Sequence, residues 1–248
     1  MRSIQTLRWR AIGVLGLCGL CMVAPATTAA ASLQVAPTRM ALTPGQSSEA
    51  LWLTNTGTAP MQVQVRVFEW TQANGEDVLT PAIELQASPP MQRIDAGQAQ
   101  LIRVVRTGST AAATEQAYRV VVDELPQLSP DAKGMQFVLR YSIPLFVAPH
   151  GEAGTPAVSA RLKPMSDGSA GVEVRNEGTA HAQLADVAIG DPARPRILRP
   201  GLVGYVLPGQ TMHWTLDTPQ SVPAGTPLSA KLNGDPAQTL LPATAPAR

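Results

Sequence analysis

Histidine is the side chain best suited to acid–base catalysis and metal binding at neutral pH. This sequence contains three, His150, His181 and His213. Their spacing matches no metal-ligand motif. We therefore predict that each is a surface or turn residue and that the protein binds no metal.

The serines and glycines do not form a catalytic or nucleotide-binding motif either. Ser109 and Ser129 lie in turn-like contexts, as do Ser47 and Ser48, and none occupies a nucleophile elbow. Glycines occur singly at turns, so no loop is rich enough in glycine to bind a phosphate group. We predict that the protein is not an enzyme and uses no cofactor. A carboxylate pair that only folding brings together is the alternative that the sequence leaves open.

Residues 135–149, MQFVLRYSIPLFVAP, are a candidate for binding a partner and not for catalysis. The first half of this segment alternates between apolar and polar side chains. Met135, Phe137, Leu139 and Tyr141 fall on one face of a strand. A Gly/Pro-rich break follows, so we predict that this is the last strand of a domain and an edge of its sheet. Such an edge can pair with a partner chain. The alternative is that the four side chains face their own core.

The first 31 residues have the pattern of an export signal. Three arginines precede an apolar run at 11–24, and small residues at 29–31 predict cleavage after Ala31. The apolar run is shorter than the roughly 20 residues that a membrane-spanning helix needs, which disfavours a retained anchor. Both cysteines, Cys18 and Cys21, lie within the run, so the exported chain would contain no cysteine.

Cleavage of the signal would leave 217 of the 248 residues and remove three of the 19 basic residues. The remaining 16 basic and 18 acidic residues give a net charge of −2. A charge so close to neutral argues against nucleic acid or an anionic membrane as the main partner. Because no disulfide or metal is predicted, the fold must depend on apolar cores, and this length suits two modules of about 100 residues.

Turn residues separate short runs rich in Val, Leu, Ile and Thr, which is typical of an all-β sandwich. One run alternates up to Val67 and then changes phase at Phe68 and Trp70. A β-bulge or burial on both faces would produce that change. Seven runs in the first half fit an immunoglobulin-like sandwich. They are 33–42, 49–54, 61–70, 83–86, 99–106, 116–125 and 135–147.

The second half of the chain repeats parts of the first. Residues 51–63 align without gaps on 172–184, and residues 94–98 match 206–210. We therefore predict two related sandwiches in tandem, although shared turn chemistry would produce part of the match. The predicted segments are a signal peptide at 1–31, an N-terminal domain at 32–149, a linker at 150–156, a C-terminal domain at 157–241 and a flexible tail at 242–248.

Six short motifs in the first half occur in the order found in one protein family. They are Pro37-Thr38-Arg39, Asn55, SPPMQRIDAG at 88–97, Ile102-Arg103-Val104, the segment 118–126 ending in Glu124-Leu125-Pro126, and Pro144-Leu145-Phe146 before Pro149. Together they resemble the periplasmic pilus-assembly chaperones of chaperone–usher systems. The second half matches only in general character. The resemblance implies two immunoglobulin-like domains set at an angle, with a cleft between them, in the periplasm of a Gram-negative bacterium.

Chaperones of that family lend their last N-domain strand to a pilus subunit that lacks one. The resemblance therefore implies that pilus or fimbrial subunits and an outer-membrane usher are the partners, without nucleic acid or membrane insertion. The sequence leaves open whether the free chaperone covers this strand by self-association. By position, Met135, Phe137 and Leu139 match the side chains that enter the subunit groove, and Tyr141 is a candidate for a fourth.

The family also anchors the C-terminal carboxylate of the subunit with two basic residues, and Arg39 matches the first. Pro144 stands where the best-known branch has a lysine. An antiparallel hairpin of the last two strands would place Arg119 opposite residues 141–144, which makes Arg119 the candidate replacement. The alternative for Arg119 is an ordinary solvated strand arginine. The weaker candidates for the second anchor are Arg103, Arg106 and Arg140.

The predicted interdomain hinge also departs from the best-known branch. Ala148 stands where that branch has an arginine paired with a glutamate, and Glu115 matches the glutamate. We therefore expect Glu115 to pair with another arginine and the protein to represent a divergent branch. The alternative function is a structural pilin or surface-adhesion module. A pilin should lack its own last strand and commonly holds a disulfide, whereas this sequence predicts a complete first sandwich without cysteine.

Overall fold

A computed structural model describes residues 32–108, 112–126, 137–151, 153–165, 169–216, 222–223 and 225–243. Every helix or strand within these ranges is a β-strand, which confirms the all-β class. In the part of the chain so described, no helix is long and apolar enough to cross a membrane. The predicted signal with its cleavage site at Ala31, the residue Met135, and tail residues 244–248 lie outside the described residues.

The first sandwich consists of two sheets whose side chains meet in one apolar core. One sheet has the order β1-β3-β8-β6 and the other the order β2-β10-β9-β4-β5, with β7 paired to β4. The strands are β1 (Leu33–Ala36), β2 (Met40–Leu42), β3 (Ser48–Asn55), β4 (Met61–Ala73), β5 (Glu76–Pro81), β6 (Leu85–Ser88), β7 (Met91–Ile94), β8 (Ala99–Arg106), β9 (Gln116–Leu125) and β10 (Arg140–Val147).

Among its described residues, the first sandwich has ten strands instead of the predicted seven. The predicted strand 33–42 is wrong as a single element, because Pro37 interrupts it and β1 and β2 join different sheets. Strand β5 was missed because all six of its residues are exposed, so no apolar alternation indicates it. The predicted strand 83–86 is displaced to Leu85–Ser88, and Ile83 is exposed.

Strand β4 explains the change of phase at Phe68 and Trp70. It pairs with β9 in one unbroken register, so no bulge interrupts the shared length. Val67 packs in the core of its own sandwich, whereas Trp70 points to the opposite face and packs with Leu207 of the second sandwich. Of the two alternatives, burial on both faces is therefore correct.

The second sandwich has a three-stranded sheet, β11-β12-β15, and a four-stranded sheet, β14-β13-β16-β17. Its strands are β11 (Val158–Pro164), β12 (Ala170–Asn176), β13 (Ala182–Ile189), β14 (Arg196–Val206), β15 (Thr211–Thr215), β16 (Leu228–Leu232) and β17 (Gln238–Leu241). Both sheets contribute to a second apolar core. Pro242 and Ala243, which the sequence assigned to a fraying tail, pair instead with Ala160.

The repeat is visible as two equivalent turns, each organised by one fully buried asparagine. Asn55 Nδ2 donates to the carbonyls of Ala59 and Ile94 at 2.8 and 3.0 Å, and its Oδ1 accepts from the N–H of Gly57. The two segments of the first half that recur in the second, 51–63 and 94–98, are therefore joined by the side chain of Asn55. The corresponding partners of Asn176 are Ala180, Val206 and Gly178, at 2.8, 3.0 and 3.0 Å.

Candidate functional site

The last strand of the first sandwich begins five residues later than the sequence predicted. Strand β10 starts at Arg140, and the backbone of Leu139 still pairs with Glu124 through a 2.9 Å hydrogen bond. Phe137 is 79% exposed and Val138 is 48% exposed, so neither is buried in the core of the first sandwich. Residues 137–139, which the sequence assigned to the strand, are therefore not part of it. Met135, the predicted first residue, lies outside the described residues.

The side chains of Leu139 and Tyr141 pack against the edge of the first core. The Tyr141 hydroxyl donates a 2.5 Å hydrogen bond to the carbonyl of Leu33. These two contacts match the alternative in which the odd-numbered side chains face their own domain. Phe137 is different because most of its surface contacts solvent.

Half of β10 forms an open edge. Strand β2 pairs with β10 in parallel only along Leu145–Val147. On that side of residues 140–144 no other strand lies alongside within the part of the chain that the structure describes. The backbone groups of such an edge can form hydrogen bonds with an incoming strand.

Pro144 lies between two arginines, one on each neighbouring strand side, on the face of the sheet that points away from the core. Arg119 is directly opposite Pro144 on β9, at the end of the region 141–144 that the predicted hairpin indicated. Arg39 precedes Met40, which pairs with Leu145, so it lies beside Pro144 on the other side. Neighbouring strands are separated by about 4.8 Å, which places the two arginine backbones roughly 10 Å apart.

The Arg119 guanidinium is half-buried on an aromatic surface. Its central carbon lies 3.6 Å from the centre of the Trp70 ring and 5.4 Å from that of Tyr205. Burial lowers the pKa of Arg119, and Asp77 and Tyr205 act in the opposite direction. The guanidinium stays charged at neutral pH and can bind a carboxylate.

Arg39 contacts the second sandwich through His181. Its Nη2 lies 3.0 Å from His181 Nε2. On the other side of the imidazole ring, Nδ1 lies 2.6 Å from Glu115 Oε1, and the same oxygen accepts a 2.9 Å bond from the His181 backbone N–H. The expectation that Glu115 pairs with an arginine was thus wrong, because a histidine occupies that place.

His181 was also wrongly predicted as a surface or turn residue, since only 3% of it is exposed. His150 is exposed as predicted, and His213 is half-buried near Glu173, with a 3.6 Å separation. The repeat aligns His181 with Pro60, but eight of the thirteen aligned positions differ, so the sequence carried no signal that singles out His181.

The weaker anchor candidates lie elsewhere. Arg103 and Arg106 are on β8, in the other sheet of the first sandwich. Arg140 pairs with the buried Asp123, which also accepts a 2.7 Å bond from Arg66. The structure therefore brings Arg39 and Arg119 together at Pro144 and leaves the other three arginines outside that row.

Arg119 borders a cleft between the sandwiches. A cavity of about 520 Å³ is lined by Arg119, Ser142 and Pro144 from the first sandwich. Leu202 and Trp214 contribute to its wall from the second. A peptide end could enter this cleft and reach the exposed edge of β10.

Comparisons with known proteins agree on one family. The model of the family described as "Pili and flagellar-assembly chaperone, PapD N-terminal domain" matches residues 32–153. The chain is 27% identical over 197 residues to the chaperone protein FimB/FhaD of Bordetella pertussis, covering 74% of this chain and 79% of that protein. It is 30% identical over 152 residues to the probable fimbrial chaperone YadV of Escherichia coli K12, covering 57% of this chain and 59% of YadV.

Solved structures give the same result. The chaperone–subunit complex CsuC-CsuE from the archaic chaperone-usher Csu pili of Acinetobacter baumannii matches with a TM-score of 0.69 and 25% identity, over 85% of this chain and 97% of that chain. The crystal structure of YadV matches in fold, with a TM-score of 0.61 and 20% identity over 85% of this chain and 98% of that chain.

The fold is therefore that of a chaperone built from two immunoglobulin-like domains. The chain belongs to the pilus-assembly chaperones of the chaperone–usher family, as the sequence motifs indicated. The alternative function, a pilin or surface-adhesion module, is not supported.

Proposed function

We propose that this protein binds exported pilus subunits in the periplasm and delivers them to an outer-membrane usher. The signal pattern ending at Ala31 supports export, and the chaperone relatives support subunits as partners. The same relatives and the lack of a catalytic motif in the sequence support a role without catalysis. The proposed functional domains remain 32–149 and 157–241, joined by a linker at 150–156.

The observation that carries the proposal is the open half of β10 with an exposed phenylalanine just before it. A subunit that lacks a strand has unpaired backbone groups and an apolar groove. Pairing with the edge at 140–144 would give those backbone groups hydrogen-bond partners. Side chains from the segment before this edge would enter the apolar groove. We propose Met135, Phe137 and Leu139 as those side chains.

Tyr141 remains a candidate for the fourth inserted side chain. Its hydrogen bond to Leu33 favours a second role, because it ties β10 to β1 of the same sandwich. Inserting Tyr141 into a subunit would require that bond to break, whereas inserting Phe137 would require no contact with the first core to be lost. Phe137 is therefore the sharper test of strand lending.

The test replaces Phe137 with aspartate and compares it with Val138→Asp, the same change on the neighbouring exposed residue of the other face. Burying a phenylalanine side chain is worth about 1.5–3 kcal/mol. Phe137→Asp should therefore lower the recovery of a co-expressed pilus subunit at least tenfold, while Val138→Asp retains most of it. The thermal midpoint of both variants should stay near the wild-type value because both residues are exposed. Equal subunit recovery with the two variants would contradict strand lending through this face.

We propose further that Arg39 and Arg119 bind the C-terminal carboxylate of the subunit. Both arginines flank Pro144 on the same face of the sheet, and Arg119 borders the cleft. A carboxylate has two oxygens and can accept from two guanidinium groups at once. Its position would set the register in which the subunit pairs with β10.

A further inference from the structure

We propose that His181 of the second sandwich is a positioning residue for the carboxylate anchor, because it orients Arg39. The inference rests on the proposed binding of the subunit carboxylate by Arg39. Arg39 is exposed and lies in the bend just before β2, so few contacts of its own sandwich restrict its side chain. Its guanidinium has two partners among the described residues, the imidazole of His181 and the ring of Phe146, whose centre lies 5.5 Å away.

The hydrogen-bond chemistry fixes the tautomer of His181. A guanidinium can only donate, so Nε2 of His181 must accept from Arg39 Nη2 at 3.0 Å. The proton of the neutral ring is therefore on Nδ1, which donates to Glu115 Oε1 at 2.6 Å. The chain Arg39–His181–Glu115 thus has one consistent direction of donation.

The imidazole is also held in place by packing. It stacks on Phe146 of β10 with 3.5 Å between ring centres and 1° between planes. The ring is almost fully buried, and its backbone N–H donates to Glu115 as well. A ring fixed in this way presents Nε2 in one place, and Arg39 must extend toward it.

A neutral acceptor suits this task better than a carboxylate would. If Arg39 paired directly with a glutamate, that charge would compete with the carboxylate of the subunit. The neutral imidazole orients the guanidinium without compensating its charge. The bond uses one N–H of the guanidinium fork and leaves the others free to meet a carboxylate.

The consequence is that the second sandwich takes part in carboxylate binding although both anchor arginines belong to the first. The orientation of Arg119 also depends on the second sandwich, since Tyr205 of that sandwich lies beside its guanidinium. The two sandwiches must keep their relative positions for both guanidinium groups to stay oriented.

The test uses the full exported chain and two probes, N-acetyl-Ala-Ala with a free carboxylate and the same dipeptide with a C-terminal amide. Affinities are measured by nitrogen-15 NMR titration for the wild type, Arg39→Ala, His181→Phe, His181→Gln and the double variant Arg39→Ala/His181→Phe. Phenylalanine keeps the stack on Phe146 and removes the acceptor. Glutamine restores an acceptor at a similar reach.

We expect Arg39→Ala and His181→Phe each to reduce the preference for the carboxylate over the amide about tenfold, the loss of one hydrogen bond to a charged group. The double variant should lose no more than Arg39→Ala, because the two residues act through one contact. His181→Gln should recover most of the preference. In the wild type, the imidazole nitrogen-15 shifts should show an unprotonated Nε2 that accepts a hydrogen bond.

The outcomes separate this inference from the anchor itself. If Arg39→Ala keeps the full preference for the carboxylate, or the wild type has none, the proposed anchor fails. If Arg39→Ala loses it while folded His181→Phe keeps it, only the positioning role fails. Where His181→Phe does not fold, the imidazole shifts decide, and a proton on Nε2 in the wild type would overturn the inference.

Discussion

Pro144 provides no cation in the row where the best-known branch of the family carries a lysine, and Arg119 from the next strand reaches the same face of the sheet. A side chain on one strand can be replaced by its cross-strand neighbour because directly opposed residues point to the same side. Trp70 packs against the Arg119 guanidinium, which supports the proposed role of Arg119 as the second anchor. The proposed anchor therefore requires two arginines whose backbones lie about 10 Å apart, and it does not require a lysine at position 144.

This arrangement predicts similar losses for the two arginines. Arg39→Ala and Arg119→Ala should each lower the affinity for a purified pilus subunit about 10- to 100-fold, because each removes a hydrogen bond between charged groups. Surface plasmon resonance with an immobilised subunit measures the effect. Arg103→Ala is the matched control, since Arg103 lies on the other sheet, and it should bind like the wild type. Wild-type affinity of Arg119→Ala would transfer the second contact to another residue.

Strand β10 is held to its neighbours at its first residues by charged groups. Asp123 on β9 accepts hydrogen bonds from Arg140 of β10 and from Arg66 of β4, and it is buried. Burial alone would raise the pKa of Asp123, but hydrogen bonds and charges from Arg140 and Arg66 outweigh it and leave the pKa below its ordinary value. Strand β10, which we expect to pair with the subunit, is therefore attached to its own sheet at its first residue.

The lowered pKa predicts how acid affects the stability of the first sandwich. A carboxyl group whose pKa is lower in the folded state contributes stability above its unfolded pKa, about 3.9, and loses it as the pH falls through the folded value. Asp123→Asn should therefore reduce the free energy of unfolding at pH 7, and its difference from the wild type should shrink below about pH 4. Urea unfolding of both proteins at pH 7 and at pH 3 measures this difference in the free energy of unfolding.

Asp95→Asn is the matched control for that experiment. Asp95 pairs with Arg93 at 3.2 Å, but both side chains are largely exposed. An exposed pair contributes less than about 1 kcal/mol, so this variant should differ little from the wild type at either pH. A destabilisation by Asp123→Asn that is the same at pH 7 and pH 3 would show that the charge of Asp123 is not the cause.

The two sandwiches are joined by a small apolar cluster and by a buried glutamine. Trp70, Phe146 and Leu207 form the centre of the cluster, and Tyr205 packs against it. Gln72 of β4 spans the boundary, because its Oε1 accepts from the N–H of Leu207 and its Nε2 donates to the carbonyl of Tyr205, both at 2.9 Å. These contacts join the second sandwich to the sheet that carries Arg119.

Removing the Gln72 side chain should weaken that junction locally. Gln72→Ala removes the partner of the buried N–H of Leu207 and of the partly buried carbonyl of Tyr205, and an unsatisfied buried group costs about 1–3 kcal/mol. We expect the amide hydrogen of Leu207 to exchange with solvent at least tenfold faster in this variant. Gln62→Ala, an exposed glutamine on the same strand, is the control and should leave that exchange rate unchanged. Unchanged exchange in Gln72→Ala would mean that the apolar cluster alone holds the junction.

Patterns within short segments were sufficient to predict the β class, the tandem repeat and the family. Alternation, turn residues and the two copies of the Asn-containing turn are local, and each depends on backbone geometry that neighbouring residues determine. The hairpin of β9 and β10 also predicted that Arg119 lies opposite residues 141–144, and the structure pairs it with Pro144 at the end of that region. Strands β5 and β7 lacked any apolar pattern and were missed.

Tertiary structure alone decided which partner each charged group has. Nothing in the spacing of Arg39, Glu115 and His181 indicates that they form one chain of hydrogen bonds, because they lie in three different loops and belong to two sandwiches. The same holds for Trp70 under Arg119, although its change of phase signalled burial on an unexpected face. Sequence patterns determine which face of a strand is apolar, whereas the packing of one sandwich on the other determines which buried groups meet.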